Sequence, residues 1–87
     1  MLLTPAEIED ALRSLPGWSC DGKSLTRTYK FASFPEAVAF VNRLVAPAEA
    51  QNHHPDIAIS YDRVTVSLTT HDAGGLTAKD FALARAL

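Results

Sequence analysis

The segment from Val64 to Thr70 constrains the fold most strongly, because apolar and hydroxyl residues alternate along it. The two alternating sets are Val64, Val66 and Leu68 on one side and Thr65, Ser67 and Thr69 on the other. Side chains along a β-strand point alternately to the two faces of its sheet. The pattern therefore predicts a sheet with one face on the core, while its hydroxyl face is either solvated or an oligomer contact.

Three further segments have strand patterns that complete this sheet. Asp21-Gly22 is typical of a hairpin turn and separates an extended segment at 18–20 from an alternating one at 24–31. Another short strand at 57–61 precedes the 64–70 segment, and we predict a tight turn at Asp62-Arg63 between them. A two-residue turn there would pair Tyr61 with Val64 and place His54 opposite His71.

Predicted helix starts lie before, between and after the two strand pairs in the sequence. Each of the three predicted helix starts has a hydroxyl residue three positions before an acidic one, the pattern of a capping box: Thr4–Glu7, Ser33–Glu36 and Thr77–Asp80. Pro47 interrupts the second helix near its end, which predicts a distorted last turn that contains Glu49. We therefore predict a single α+β domain over residues 1–87, in the order α-β-β-α-β-β-α. Its four-stranded antiparallel sheet has helices packed on one face.

Composition excludes several classes of function. The chain has 87 residues and a formal charge of −2, which gives no electrostatic reason to expect nucleic-acid binding. It has one cysteine, Cys20, so neither an internal disulfide nor a CxxC metal site can form. No apolar run approaches the roughly 20 residues of a membrane span, and the N-terminus lacks a signal-peptide pattern. We expect a cytoplasmic protein that binds neither nucleic acid nor membrane.

All three histidines lie between a glutamate and an aspartate: His53, His54 and His71 fall between Glu49 and Asp80. Imidazole can give and take a proton near neutral pH, so this cluster indicates either proton transfer or a metal site. Adjacent residues in an extended chain point to opposite sides, and the helical HExxH spacing is absent, so zinc is disfavoured. A purely structural interpretation also exists, because Asp80 occupies the position of a capping carboxylate.

These residues and their spacing resemble those of the pterin-4a-carbinolamine dehydratases. The resemblance rests on Glu-x-x-x-His-His-Pro at 49–55, on Tyr61, and on the run Thr-His-x-x-Gly-Gly-Leu-Thr-x-x-Asp at 70–80. It implies a four-stranded antiparallel sheet with helices on one face. It also implies loss of water from a 4a-hydroxytetrahydropterin to give a quinonoid dihydropterin, without a redox cofactor or a metal.

The resemblance also implies residue roles. His53 and His71 would form the acid/base pair, and His54 would anchor the substrate. Glu49 would orient the histidines or contact the polar pterin edge, Asp80 would hold the His71 side of the pocket, and Tyr61 would bind or orient the substrate. Members of the family form dimers or tetramers. The bacterial ones would recycle the pterin cofactor of an aromatic amino-acid hydroxylase, so a homodimer or homotetramer with that role is expected here.

Two positions depart from the family pattern. Ile57 occupies a place where many members have an aromatic residue, and Pro47 lies unusually close to Glu49. Neither departure removes a histidine. The alternative function is a non-catalytic binding or assembly module of the same fold. Relatives that help to assemble a carbon-fixing enzyme generally lack the full histidine set, and that argues against this alternative. Nothing in the sequence supports the transcription-factor role of animal members.

Overall fold

The computed structural model describes residues 1–87 and has the predicted order of elements. The helices are Pro5–Leu12 (α1), Phe34–Gln51 (α2) and Ala78–Ala86 (α3); the strands are Ser19–Cys20 (β1), Leu25–Lys30 (β2), Asp56–Ser60 (β3) and Arg63–Leu68 (β4). A short 3-10 turn, His71–Ala73, lies between β4 and α3. No helix has both the length and the apolar content needed to cross a membrane.

The four strands form one sheet in the order β1-β2-β4-β3, and every neighbouring pair is antiparallel. This confirms the predicted fold class. β4 lies between β2 and β3 in the interior of the sheet, so both of its edges are hydrogen-bonded. The strand with the clearest alternation in the sequence is therefore central, where a one-residue slip would move its apolar side chains out of the core.

The two faces of the sheet differ as the alternation predicts. Val64, Val66 and Leu68 are fully buried in a core with residues of α2 and α3. On the opposite face, hydroxyl groups pair across β2 and β4: Thr26 with Ser67 at 3.1 Å and Thr28 with Thr65 at 3.2 Å. Cross-strand hydroxyl pairs of this kind add modest stability to a solvated sheet face.

The predicted turn between β3 and β4 is wrong. The structure pairs Ser60 with Arg63 and Ile59 with Val64, so the turn residues are Tyr61 and Asp62. Tyr61 adopts a left-handed conformation with φ of 54°. This conformation favours glycine, asparagine or aspartate, so a tyrosine does not indicate it. The observed register differs from the predicted one by two residues. A shift of two keeps every side chain on its face, and the apolar pattern could not distinguish the two registers.

Pro47 does not end α2, which continues to Gln51 and so keeps Glu49 within the helix. Asn52 then ends the helix in a left-handed conformation, and its backbone N–H bonds to the carbonyl oxygens of Ala48 and Glu49. This sharp ending turns the chain away from the helix axis, so that the residues after Asn52 run back toward the sheet. The next two residues are the adjacent histidines.

The three predicted capping boxes do not all form. Those of α1 and α3 are complete, with both reciprocal hydrogen bonds present. At α2 only half of the box exists: Ser33 accepts the N–H of Glu36 at 3.4 Å, but the Glu36 carboxylate accepts the N–H of Ala32 rather than that of Ser33. Ser33 still caps the helix, and the carboxylate secures the residue before it.

Candidate active site

A polar cleft forms where the end of α2, the end of β4, the 3-10 turn and the start of α3 meet. It has a volume of about 290 Å³ and no hydrophobic residue lines it; the lining residues are Asn52, His53, His54, Thr69, Thr70, His71, Asp72 and Lys79. The structure thus brings all three histidines to one cleft, although the strand pairing expected to do so does not occur. Chain reversal after Asn52 supplies the first two, and the 3-10 turn supplies His71.

The first histidine is held by a buried carboxylate. His53 Nε2 lies 2.5 Å from Asp80 Oδ1, and the two side chains are 11% and 0% exposed. Carboxylate–imidazole bonds fix both the orientation and the tautomer of the ring. Because Asp80 lies in the first turn of α3, this helix positions His53 through the Asp80 carboxylate.

The second carboxylate oxygen of Asp80 accepts two hydrogen bonds. Oδ2 accepts the hydroxyl of Thr70 at 2.8 Å and the backbone N–H of Thr77 at 2.9 Å. The family resemblance implies that Asp80 holds the His71 side of the pocket, but its carboxylate contacts His53 instead. Its only connection toward His71 is through Thr70, the residue that precedes His71 in the chain.

The second histidine has a carboxylate partner of a different kind. His54 Nε2 lies 2.5 Å from Glu49 Oε2, but these side chains are 59% and 67% exposed. Solvent and salt screen an exposed pair of this type, so it is worth little to stability. Glu49 therefore orients one histidine, His54, and its contact does not extend to His53.

His71 is the most open of the three. It lies in the 3-10 turn, and its Nε2 is 3.9 Å from Asp56 Oδ2 at the start of β3, with both side chains largely exposed. This distance is too long for a hydrogen bond, so the ring is free to reorient toward a bound molecule. Sequence reasoning gave Asp56 no part in the site. Thr70 was also missed, since its role depends on a carboxylate ten residues further along the chain.

The structure does not bring Tyr61 to the histidines. This exposed residue lies in the β3–β4 turn, whereas Asp56 at the other end of β3 lies beside His71. Five residues of extended strand separate these positions, or about 16 Å at the usual rise per residue. Within one copy of the chain, Tyr61 is thus outside the cleft. Of the other five residues selected from the sequence, the three histidines line the cleft, and Asp80 and Glu49 each hydrogen-bond to one of them.

The arrangement suits proton transfer. His53 and His54 each direct Nε2 to a separate carboxylate, and no group of three or more His, Cys, Asp or Glu residues converges as metal ligands do. Each of these imidazoles keeps its Nδ1 for other partners. A bound molecule in the cleft would therefore face three imidazoles from two separate segments of the chain.

Comparison with known proteins gives concordant matches. A family model described as Pterin 4 alpha carbinolamine dehydratase matches residues 1–87. A curated relative from Trichormus variabilis is 59% identical over 83 residues, covering 95% of this chain and 89% of the relative. Another from Picosynechococcus sp. is 60% identical over 82 residues, covering 94% and 89%. Both relatives are provisionally named pterin-4-alpha-carbinolamine dehydratases.

Two solved structures are similar in fold. A protein described as a transcriptional coactivator/pterin dehydratase from Brucella melitensis superposes with a TM-score of 0.91 at 40% identity, covering 99% of this chain and 94% of that one. A pterin dehydratase-like protein described as a RuBisCO assembly factor in the alpha-carboxysome has a TM-score of 0.63 at 21% identity, with coverages of 79% and 80%. The second likeness shows the fold alone.

Proposed function

Since this chain belongs to the pterin 4 alpha carbinolamine dehydratase family of hydro-lyases, we propose that its histidines catalyse the dehydration of a 4a-hydroxytetrahydropterin. The product is the quinonoid dihydropterin. The observation that supports this most directly is the convergence of three imidazoles on one polar cleft, one of them held by a buried carboxylate. Dehydration requires one proton to be donated and one to be removed, which two imidazoles can do.

His53 and His71 are the proposed acid/base pair. The 4a-hydroxyl leaves as water once it is protonated, and a proton leaves a ring nitrogen as the new double bond forms. His53 is fixed by Asp80 on α3, while His71 comes from the separate 3-10 turn, so the two can approach a flat ring from different directions. A fixed group and a mobile group at one cleft can serve hydroxyls of different orientation.

His54 and Glu49 are proposed to anchor the substrate. Their hydrogen bond orients the His54 ring, which lines the cleft, and both side chains remain accessible. A pterin has a polar edge of alternating donors and acceptors, which an imidazole and a carboxylate can match. We infer that this pair contributes mainly to binding, so its loss raises KM more than it lowers kcat.

Substitution of the proposed pair tests catalysis directly. His53→Ala and His71→Ala should each lower the rate of dehydration, by roughly 10²–10⁴-fold for loss of a general acid or base, and the double variant should lose most activity. A stopped-flow absorbance assay with a 4a-hydroxypterin measures the rates, and circular dichroism confirms that each variant is folded. Full activity in the double variant would exclude the assignment.

The rival function is a binding or assembly module without turnover. The RuBisCO assembly factor shares the fold, but at 21% identity it carries no function to this chain. The two hypotheses differ in one measurement, because a binding module would leave the 4a-hydroxypterin to dehydrate at its uncatalysed rate. The stopped-flow assay of the intact protein therefore separates them before any variant is made.

We further propose that the protein forms a homo-oligomer and recycles the pterin cofactor of an aromatic amino-acid hydroxylase. All five residues of β3 are exposed, and its outer edge has no strand partner in one copy of the chain. Ile57 and Ile59 are among its exposed residues, and an uncovered apolar edge strand favours pairing. Four of the nine residues of α3 are buried and the other five are exposed, so the outer face of this final helix is the second candidate contact.

Association is expected to stabilise this small domain, so both mass and melting temperature should depend on protein concentration. Sedimentation at micromolar concentration measures the mass. The variant Ile57→Lys provides the comparison, because its charge opposes edge pairing. A wild-type monomer of 9.4 kDa with a concentration-independent melting temperature would contradict the proposal.

A further inference from the structure

Three donors surround Asp80, a fully buried carboxylate. The backbone N–H of Thr77 can only donate, and it meets Oδ2 at 2.9 Å. The Thr70 hydroxyl donates to the same oxygen at 2.8 Å, while His53 Nε2 lies on Oδ1. A carboxylate has no proton to donate, so Asp80 accepts on both oxygens.

The hydroxyl of Thr77 adds a second hydrogen bond that points toward the Asp80 carboxylate. The N–H of Lys79 donates to Thr77 Oγ1 at 3.3 Å, so the hydroxyl proton of Thr77 remains available. Thr77 Oγ1 lies 2.8 Å from Thr70 Oγ1, whose own proton is already directed at Asp80. Thr77 must therefore donate to Thr70, and both hydroxyl protons run toward the carboxylate. Aligned hydrogen bonds of this kind strengthen one another at a site shielded from water.

The direction of these bonds determines which nitrogen of His53 carries the proton. A carboxylate that only accepts requires a proton on His53 Nε2, which leaves the lone pair of the neutral ring on Nδ1. His53 Nδ1 has no hydrogen bond within the protein. The Tyr29 hydroxyl is the one side-chain polar atom that is both buried and unpartnered, so His53 Nδ1 is not a buried atom. Nδ1 is therefore open to the cleft that His53 lines.

We propose that Thr70 is a positioning residue: its hydroxyl fixes the Asp80 carboxylate and so holds His53 in the tautomer that presents Nδ1 to the substrate. The part that concerns catalysis rests on the proposed dehydration, whereas the tautomer does not. Thr70 also bonds through its backbone to Gly75, at the end of the turn that contains His71. The same residue thus sets the geometry of both segments that supply the acid/base pair.

The tautomer can be measured without any assay of turnover. Nitrogen-15 NMR of the labelled protein distinguishes a protonated from an unprotonated imidazole nitrogen in the neutral ring. The wild-type protein should show His53 protonated on Nε2 and unprotonated on Nδ1. A proton on Nδ1 would overturn the proposal outright, and this result needs no variant, so it stands even if a substitution prevents folding.

Two variants of Thr70 then isolate the hydroxyl. Thr70→Val removes it at nearly constant volume and should give a mixture of His53 tautomers, with kcat about 10-fold lower and KM within about twofold of wild type. Thr70→Ser keeps the hydroxyl and should restore both the single tautomer and kcat. Thr28→Val is the matched control, because it removes a hydroxyl from another Thr–Thr pair, on the outward face of the sheet.

The readouts separate this inference from the proposed function. If the wild-type protein shows no turnover, the dehydratase proposal fails and the tautomers of wild type, Thr70→Val and Thr70→Ser alone decide the role of Thr70. If turnover is present, a single Nε2-protonated tautomer in Thr70→Val, or an unchanged kcat, overturns the positioning role. A loss of kcat that Thr70→Ser does not restore overturns it as well, because the hydroxyl would then not be the cause.

Discussion

Two helices of this chain begin with the same local device and use it differently. α1 and α3 each start with a threonine N-cap and an acidic residue three positions later, and both reciprocal hydrogen bonds form. At α1 the Glu7 carboxylate accepts the N–H of Thr4 at 2.8 Å on the protein surface. At α3 the Asp80 carboxylate accepts the N–H of Thr77 at 2.9 Å in the fully buried interior.

The difference lies in what surrounds the carboxylate. Glu7 has hydrogen bonds to its own cap, whereas Asp80 also has Thr70 and His53 as partners. A buried carboxylate needs several donors to compensate for the loss of water, and an exposed one does not. A capping box can therefore start a helix either at the surface or in the interior. When its carboxylate is buried, the additional donors that it needs include a residue of the site, so the carboxylate also positions that residue.

The largest expected difference between the two boxes is in stability. Asp80→Ala leaves His53, Thr70 and the Thr77 N–H without their acceptor in the interior. We therefore expect a loss of several kcal/mol in the free energy of unfolding, since each unsatisfied buried donor costs about 1–3 kcal/mol. Glu7→Ala, the matched variant at α1, removes a solvated carboxylate and should cost several-fold less. Urea denaturation of both variants measures this, and equal losses would show that burial does not distinguish the boxes.

The two capping boxes should also differ in how much the loss of their carboxylate lowers kcat. Asp80→Asn preserves the shape of the side chain but turns an amide N–H toward one of the three donors, so His53 loses its fixed orientation. We expect a fall in kcat of about 10²-fold. Glu7→Gln makes the same change of carboxylate to amide at α1 and should leave kcat within about twofold of wild type. An active Asp80→Asn variant would reduce Asp80 to a helix cap like Glu7.

The smallest expected effect is a pH dependence at the capping box of α1. Hydrogen bonds from the Thr4 backbone, and then from its side chain, hold the pKa of Glu7 below its usual value of 4.5. A pKa lowered by folding contributes stability that is fully present above the unfolded value and is lost as pH falls through the folded one. Wild type should therefore lose more stability than Glu7→Gln between about pH 6 and pH 3.

Thermal unfolding at a series of pH values measures that difference, with Thr4→Ala as a second variant that removes the side-chain part of the cap. Both variants should show a shallower decline toward acid than the wild-type protein. If the three proteins decline in parallel, the Glu7 carboxylate contributes nothing to acid sensitivity.

The fold could be predicted from the sequence wherever the signal was local or periodic. Alternation in 64–70 gave the buried face of β4 correctly, and the helix starts at Thr4 and Thr77 formed as complete capping boxes. The register of β3 on β4 could not be predicted, because two registers that differ by two residues place the same side chains in the core. The choice depended on Tyr61, whose left-handed backbone no sequence pattern indicated.

For the site, the sequence by itself determined which groups are present: three imidazoles, two flanking carboxylates and a threonine-capped helix, all within one stretch of the chain. Only the tertiary structure decided which carboxylate meets which imidazole. Asp80 is 27 residues from His53 and only nine from His71, yet it bonds to His53. Capping depends on atoms three residues apart, which the local backbone fixes, whereas the His53–Asp80 bond exists because the reversal at Asn52 and the packing of α3 bring distant residues into contact.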